Sequence, residues 1–181
     1  DSVAEFTVML ILLSLRKYKQ TLWRQQVNDY SLNALKGEVL GKMTVGVMGG
    51  GKIGGKVLEI LKGFGCRLLC CSDDRREEIA ALAEYVDADT MYALSDIITY
   101  HVPSLPTTRH MLNDETLAKM KDGVRILNFS RAGLVNDDAI KAALESGKVA
   151  TYVTDFPTDD ILETDGVIAI PHLGASTPES E

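Results

Sequence analysis

The chain has 181 residues, 45% of them hydrophobic, enough to bury a core as one domain or as one domain with an appendage. Its formal charge of −7 argues against a general nucleic-acid binder, which needs a basic face. Three cysteines, Cys66, Cys70 and Cys71, lack metal-ligand spacing and suit no disulfide framework, so they read as small apolar side chains in a reducing compartment.

Ser2-Val3-Ala4-Glu5 fits a capping box, and the periodicity behind it predicts one long N-terminal helix reaching about Val27. Its apolar residues (Val3, Phe6, Leu10, Leu13 and Trp23, with Met9, Leu12 and Tyr18 besides) occupy more than one face. That pattern belongs to a helix deep in a core or shared with a partner subunit. The apolar run of residues 6–15 is too short to span a bilayer. Glu5 before it and Arg16, Lys17 and Lys19 after it reverse the charge order of a signal peptide. A cytoplasmic protein with no membrane partner follows by elimination. Residues 28–42 read as a polar connector.

Thr44-Val45-Gly46-Val47-Met48 reads as a buried strand, and residues 52–64 carry apolar positions at helical spacing. Between them stands Gly49-Gly50-Gly51-Lys52-Ile53-Gly54, a G-x-G-x-x-G turn. In that setting Gly49 makes the turn, Gly51 lets backbone approach a pyrophosphate, and Gly54 lets helix and strand pack closely. The N–H groups at Lys52, Ile53 and Gly54 then face the phosphates, while the Lys52 side chain stays in solvent. This is a dinucleotide site.

Strands are predicted at 43–48, 67–71, 96–102, 124–128, 149–154 and 166–170, with a short one near Tyr85-Val86. Helices are predicted at 52–64, 74–84, 90–95, 114–121 and 136–146. Asn113 or Asp114 and Asn136 or Asp137 are plausible caps for the last two, and Gly123 and Gly147 plausible ends. The alternation predicts an α/β fold: a Rossmann-type doubly wound parallel sheet of six to seven strands, helices on both faces, and the long N-terminal helix. Residues 178–181 look like the first turn of a further helix, as in a piece cut from a longer polypeptide.

Ligands in such sheets bind at the carboxyl ends of the strands. Those ends carry the glycine loop, Ser72-Asp73-Asp74, Pro103, Phe129-Ser130-Arg131, Asp155 and His172. Imidazole titrates in the range a general acid/base needs, and a guanidinium fork suits a carboxylate. Counting from Gly54, the acidic residue that accepts ribose hydroxyls falls on Ser72, with Asp73 behind it and Arg75 and Arg76 nearby. The two aspartates favour NAD over NADP without excluding NADP.

Longer motifs point to one family. Residues 128–136, Asn-Phe-Ser-Arg-Ala-Gly-Leu-Val-Asn, resemble the arginine motif of the D-isomer-specific 2-hydroxyacid dehydrogenases, and residues 171–177, Pro-His-Leu-Gly-Ala-Ser-Thr, resemble their histidine motif. His101-Val102-Pro103 with Thr107-Thr108-Arg109-His110 is similar to their cofactor-side loop. Within the family, Tyr152-Val153-Thr154-Asp155-Phe156-Pro157-Thr158 is most like a bacterial subgroup of the D-3-phosphoglycerate dehydrogenases.

The resemblance implies that residues 1–181 are a single dinucleotide-binding domain of a two-domain enzyme whose substrate domain lies outside this chain. It implies His172 as general acid/base and Arg131 as the anchor of a 2-hydroxy or 2-oxo acid. Asp155, His101, Pro103, Thr108, Phe129, Ser130, Gly174 and Ala175 would line the cofactor, beside Arg131 and His172. The family's glutamate, which orients the histidine, is missing; Asp159 takes its place with a one-residue gap, Asp160 without it. A homodimer through this domain is also implied, with the first helix at the interface. The alternative is a dimeric, NAD-binding corepressor-like module with little catalysis.

Overall fold

A computed structural model describes residues 1–180. Seven parallel strands form one sheet in the order β3-β2-β1-β4-β5-β6-β7. They are β1 (Thr44–Met48), β2 (Arg67–Cys71), β3 (Glu84–Tyr85), β4 (Ile97–Tyr100), β5 (Val124–Asn128), β6 (Val149–Thr154) and β7 (Val167–Ala169). The strands read as apolar runs because both faces are covered. Period two then divides each strand between two cores: Val45 and Val47 of β1 join Leu58 and Leu61 on one side, while Met48 joins Ile98, Tyr100 and Ile126 on the other. The Rossmann order reverses between β1 and β4, where a crevice opens at the carboxyl edge.

The helices are α1 (Ser2–Leu15), α2 (Tyr18–Gln26), α3 (Lys52–Lys62), α4 (Glu77–Ala80), α5 (Ala88–Leu94), α6 (Asp114–Ala118), α7 (Asp137–Glu145) and α8 (Asp159–Leu162). Caps set several starts. Asn113 accepts from Thr116 N–H while Thr116 Oγ1 accepts from Asn113 N–H, a reciprocal box at 3.1 Å each way. Asn136 Oδ1 accepts from Ala139 N–H at 3.1 Å, and Gly147 (φ +78°) follows the end of α7.

The single N-terminal helix does not hold. It breaks at Lys17, whose φ of 51° is left-handed. The Leu15 carbonyl, which a continuous helix would offer to Lys19, instead accepts from Glu38 N–H at 3.1 Å, so the returning connector ends α1. α1 lies on the sheet with Ile11 and Leu15 buried, whereas α2 buries none of its residues. The capping box at Ser2 is also absent: Asp1 precedes the helix without a side-chain cap, and Ser2 Oγ bonds Ser180 Oγ at 2.8 Å.

The helix predicted at 74–84 shrinks to α4, leaving Asp73 and Asp74 outside it, because Arg76 N–H is taken by the Tyr85 hydroxyl at 3.0 Å. Residues 178–180 form a turn, and Glu181 lies outside the described residues. No helix among the described residues is long and apolar enough to cross a membrane.

Candidate active site

At the β1 end the site is made of backbone. Gly49 has φ +97°, and a Cβ there would sit 2.5 Å from the His101 carbonyl oxygen. Gly54, in the first turn of α3, leaves still less room: its Cβ would lie 1.9 Å from the Gly49 oxygen. Gly51 caps α3 without a side-chain bond and faces open space, so the helix's first N–H groups are left for an anion. Lys52 and Ile53 follow, both exposed. The cradle fits the phosphates of a dinucleotide.

Ser72 follows β2 with its Oγ 3.4 Å from where a Gly50 Cβ would stand, and Asp73 beside it is exposed. The basic residues here are engaged. Arg76 donates to the Gly50 carbonyl and pairs with Glu78 at 3.2 Å, while the Arg75 guanidinium lies 5.3 Å from the Tyr85 ring centre. Arg76, noted in the sequence only as a nearby charge, therefore braces the glycine loop from behind. The neighbouring thiols are free, and burial pushes that of Cys70 up to about 11.

His101 follows β4, with its N–H on the Met48 carbonyl at 2.7 Å and its Nε2 2.9 Å from Thr99 Oγ1. Burial of the ring lowers its pKa to about 4, so it stays neutral. In the next loop Thr108 Oγ1 donates to the Pro103 carbonyl at 2.7 Å and accepts from Leu105 N–H at 2.8 Å. The Thr108 hydroxyl thus shapes the loop rather than reaching out of it.

The β5 end depends on a residue to which the sequence reading gave no role. Asn128 is fully buried; its Oδ1 accepts from Ser130 N–H at 3.1 Å and its Nδ2 donates to the Arg131 carbonyl at 3.0 Å. Ser130 Oγ donates to the Tyr100 carbonyl at 2.7 Å, and Phe129 packs on Phe6 of α1, 6.0 Å between ring centres. The Arg131 backbone is pinned while its guanidinium stays exposed, one Nη1 on the Ser130 carbonyl at 2.6 Å.

Asp155 follows β6 and is 5% exposed; His172 follows β7 with a side chain 59% exposed. Asp155 Oδ2 lies 2.8 Å from His172 Nδ1, and the Phe156 ring tilts against the imidazole at 4.8 Å. With Nδ1 held, Nε2 of the exposed imidazole is the nitrogen left to exchange a proton. Burial raises the Asp155 pKa, and the His172 and Arg131 charges pull the other way. Its second oxygen, Oδ1, is buried without a partner. Beyond His172, Gly174 is buried near the Val3 side chain, and Ala175 is exposed.

The carboxylate on His172 is therefore Asp155, where the sequence suggested Asp159 or Asp160. Those two head α8, exposed, where acids suit the helix N-terminus. Thr158 Oγ1 donates to Asp137 Oδ2 at 3.0 Å and so ties this loop to α7. No group of three metal-ligating side chains gathers among the described residues.

Residues 8–174 match the model of the family described as D-isomer specific 2-hydroxyacid dehydrogenase, NAD binding domain. A hydroxypyruvate reductase of Thermotoga maritima is 40% identical over 190 residues, covering 99% of this chain and 61% of that protein. The apo structure of D-lactate dehydrogenase from Escherichia coli superposes with a TM-score of 0.93 at 32% identity, over 99% of this chain and 59% of that one. A D-lactate dehydrogenase from Aquifex aeolicus, solved with NAD and lactic acid, superposes at 0.92 with 30% identity, over 99% and 61%. The chain thus spans about three fifths of the length of these relatives. They bear out the family but not the phosphoglycerate subgroup in particular.

Proposed function

The chain belongs to the D-isomer specific 2-hydroxyacid dehydrogenase family, as its NAD binding domain, and on that premise we propose that it is the cofactor half of an enzyme moving a hydride between NAD and a D-2-hydroxy acid. The observation that carries this reading is the 2.8 Å pair of His172 Nδ1 and Asp155 Oδ2, with Arg131 on the neighbouring strand end. Bound NAD supplies the acceptor for the hydride leaving C2 of the substrate. His172 Nε2 takes the hydroxyl proton as the C2–O bond becomes a carbonyl, and returns it in the reverse direction. Arg131 holds the substrate carboxylate with its planar fork, which fixes C2 over the cofactor. Pro103, Phe129 and Ser130 stand on the strand ends between the glycine loop and this pair, where they wall the cofactor crevice.

The reading favours NAD over NADP because Asp73 and Asp74 stand by the ribose end while Arg75 and Arg76 are already engaged. Substrate is clamped between this domain and a second one outside the chain, so the domain alone binds cofactor without turnover. The names of the relatives favour pyruvate or hydroxypyruvate as the oxo acid; the Tyr152–Thr158 resemblance favours the phosphorylated form. A homodimer belongs to the same reading: Leu22, Trp23, Val27 and Tyr30 are exposed on α2 and the connector, an apolar surface suited to a second copy. Three free thiols fit a reducing cytoplasm.

Calorimetry of this chain with NAD and NADP tests the cofactor half; tighter NADP binding would overturn the reading of Asp73. NADH oxidation by the full-length protein with pyruvate, hydroxypyruvate, phenylpyruvate and 3-phosphohydroxypyruvate tests the rest. Tight NAD binding with no turnover of any 2-oxo acid would leave a binding module of the corepressor kind. Sedimentation as a monomer would overturn the dimer.

A further inference from the structure

The amino edge of the sheet, away from the glycine loop, holds a cavity of about 880 Å³. Arg125, Thr151 and Val167 line it from the first halves of β5, β6 and β7, and the end of α1, α2 and the returning connector form its other walls. Arg131, Asp155 and His172 follow the opposite ends of the same three strands, so this is a separate place from the active site.

Four cations line the cavity, and only two of them are matched. Arg24 Nε lies 3.6 Å from Asp29 Oδ2, and Arg125 pairs with Glu38 through Nη2. Lys17 Nζ donates to the Ala34 carbonyl and Lys19 Nζ to the Val167 carbonyl, each at 3.0 Å; among the described residues neither lysine meets a carboxylate. A carbonyl completes a hydrogen bond but leaves the ammonium charge uncompensated. Arg125 Nε is buried without an acceptor, where a buried donor ordinarily has one. Lys17 also holds a left-handed backbone, φ 51°, which is disfavoured for lysine.

The rest of the lining narrows the ligand. Glu163 and Asp165 stand exposed in the turn before β7 and oppose a second negative charge on whatever the lysines hold. Trp23, 64% exposed, and the half-buried Leu35 and Ile168 give the cavity an apolar wall. Unmatched cations beside open apolar surface suit a molecule that carries both characters. We propose that this cavity is a second small-molecule site, taking an organic monocarboxylate with an apolar body: the carboxylate on Lys17, Lys19 and Arg125 Nε, the body on Trp23 and Leu35. The proposal goes beyond the dehydrogenase reading and is independent of it, since none of these residues serves the hydride step.

Trp23 is the only tryptophan of the chain, so its emission reports this cavity. Titration of the chain with 3-phenylpropionate should shift that emission. Calorimetry on Arg131→Ala, whose active site has lost its carboxylate anchor, should return the same affinity. The neutral amide of the acid should bind roughly tenfold more weakly, as one lost charge-assisted hydrogen bond implies. Inorganic phosphate, with no apolar body, should leave the emission unchanged. Lys19→Gln should weaken the acid roughly tenfold. Arg125→Lys, which keeps a charge for Glu38 and removes Nε–H, should weaken it as well.

Equal affinity for acid and amide would overturn the proposal, as would phosphate matching the acid or Lys19→Gln binding the acid like wild type. So would an emission that changes on dilution of the protein and ignores the carboxylate, which would assign the cavity to a second copy of the chain. None of these outcomes touches the NAD titration that tests the dehydrogenase reading.

Discussion

At the β1 end the ligand edge is made of backbone: Gly49, Gly51 and Gly54 shape it, and two of them sit where a Cβ would overlap a carbonyl oxygen. At the β5–β7 end it is made of side chains, with Arg131 and His172 exposed and Asn128 and Asp155 buried beneath them. At the first end strand, turn and helix approach so closely that Gly49 and Gly54 have no room for a side chain. The second holds its reactive groups at the tips of short segments and fixes them from below, through Asn128 and Asp155. Affinity for the cofactor's phosphates can thus be built into the backbone, while the chemistry stays open to a substrate arriving from the solvent side.

Substitutions that break the first end should damage folding as much as binding. Gly54→Ala must push α3 off the loop, costing about 3 kcal/mol or a melting temperature lower by roughly 6–12 °C, with NAD affinity lost in calorimetry. Arg131→Ala should show the contrast: melting within about 0.5 kcal/mol of wild type, yet turnover of a 2-oxo acid by the full-length protein down roughly a hundredfold. Equal damage to both properties from Arg131→Ala would erase the distinction between the two ends.

Two titrations sharpen the comparison. The pKa of His101, against the glycine loop, falls from 6.5 to about 4. Its neutral form is therefore favoured by folding; that stability is present above 6.5 and is lost as pH falls through about 4. His101→Gln should flatten the acid side of the melting curve across this window.

Asp155 is displaced the other way, above the ordinary 3.8. Its contribution is present below 3.8 and is lost as pH rises through the raised value, so near neutrality the ionised carboxylate costs stability. Asp155→Asn should accordingly raise the melting temperature at pH 7, with the gain fading as pH drops toward 3.8. The smallest effect belongs to Asp160→Asn, exposed at the head of α8: about 0.5 kcal/mol from the lost helix-terminus charge, and no change in NAD affinity.

Much of this was legible in the sequence where backbone conformation or two-sided burial dictates residue type. The apolar runs at Val45–Met48 and Ile97–Tyr100 marked buried strands, and the glycine spacing marked the loop. The failures lie where a distant residue decides. Local periodicity carried the first helix on to Val27, but Glu38 N–H on the Leu15 carbonyl ends α1 from far along the chain. The hold of Asp155 on His172 depends on β6 and β7 lying side by side and on the turn after Thr154, neither of which spacing alone encodes. α8, four residues long, is too short for periodicity to announce.

The packing of α1 has a mechanical consequence. Phe6 rests on Phe129, two residues before Arg131, and Val3 lies near Gly174, two residues after His172. The same helical turn therefore stands behind both reactive loops. Arg131 and His172 thus share one support, so a substitution in that turn reaches both loops rather than either alone.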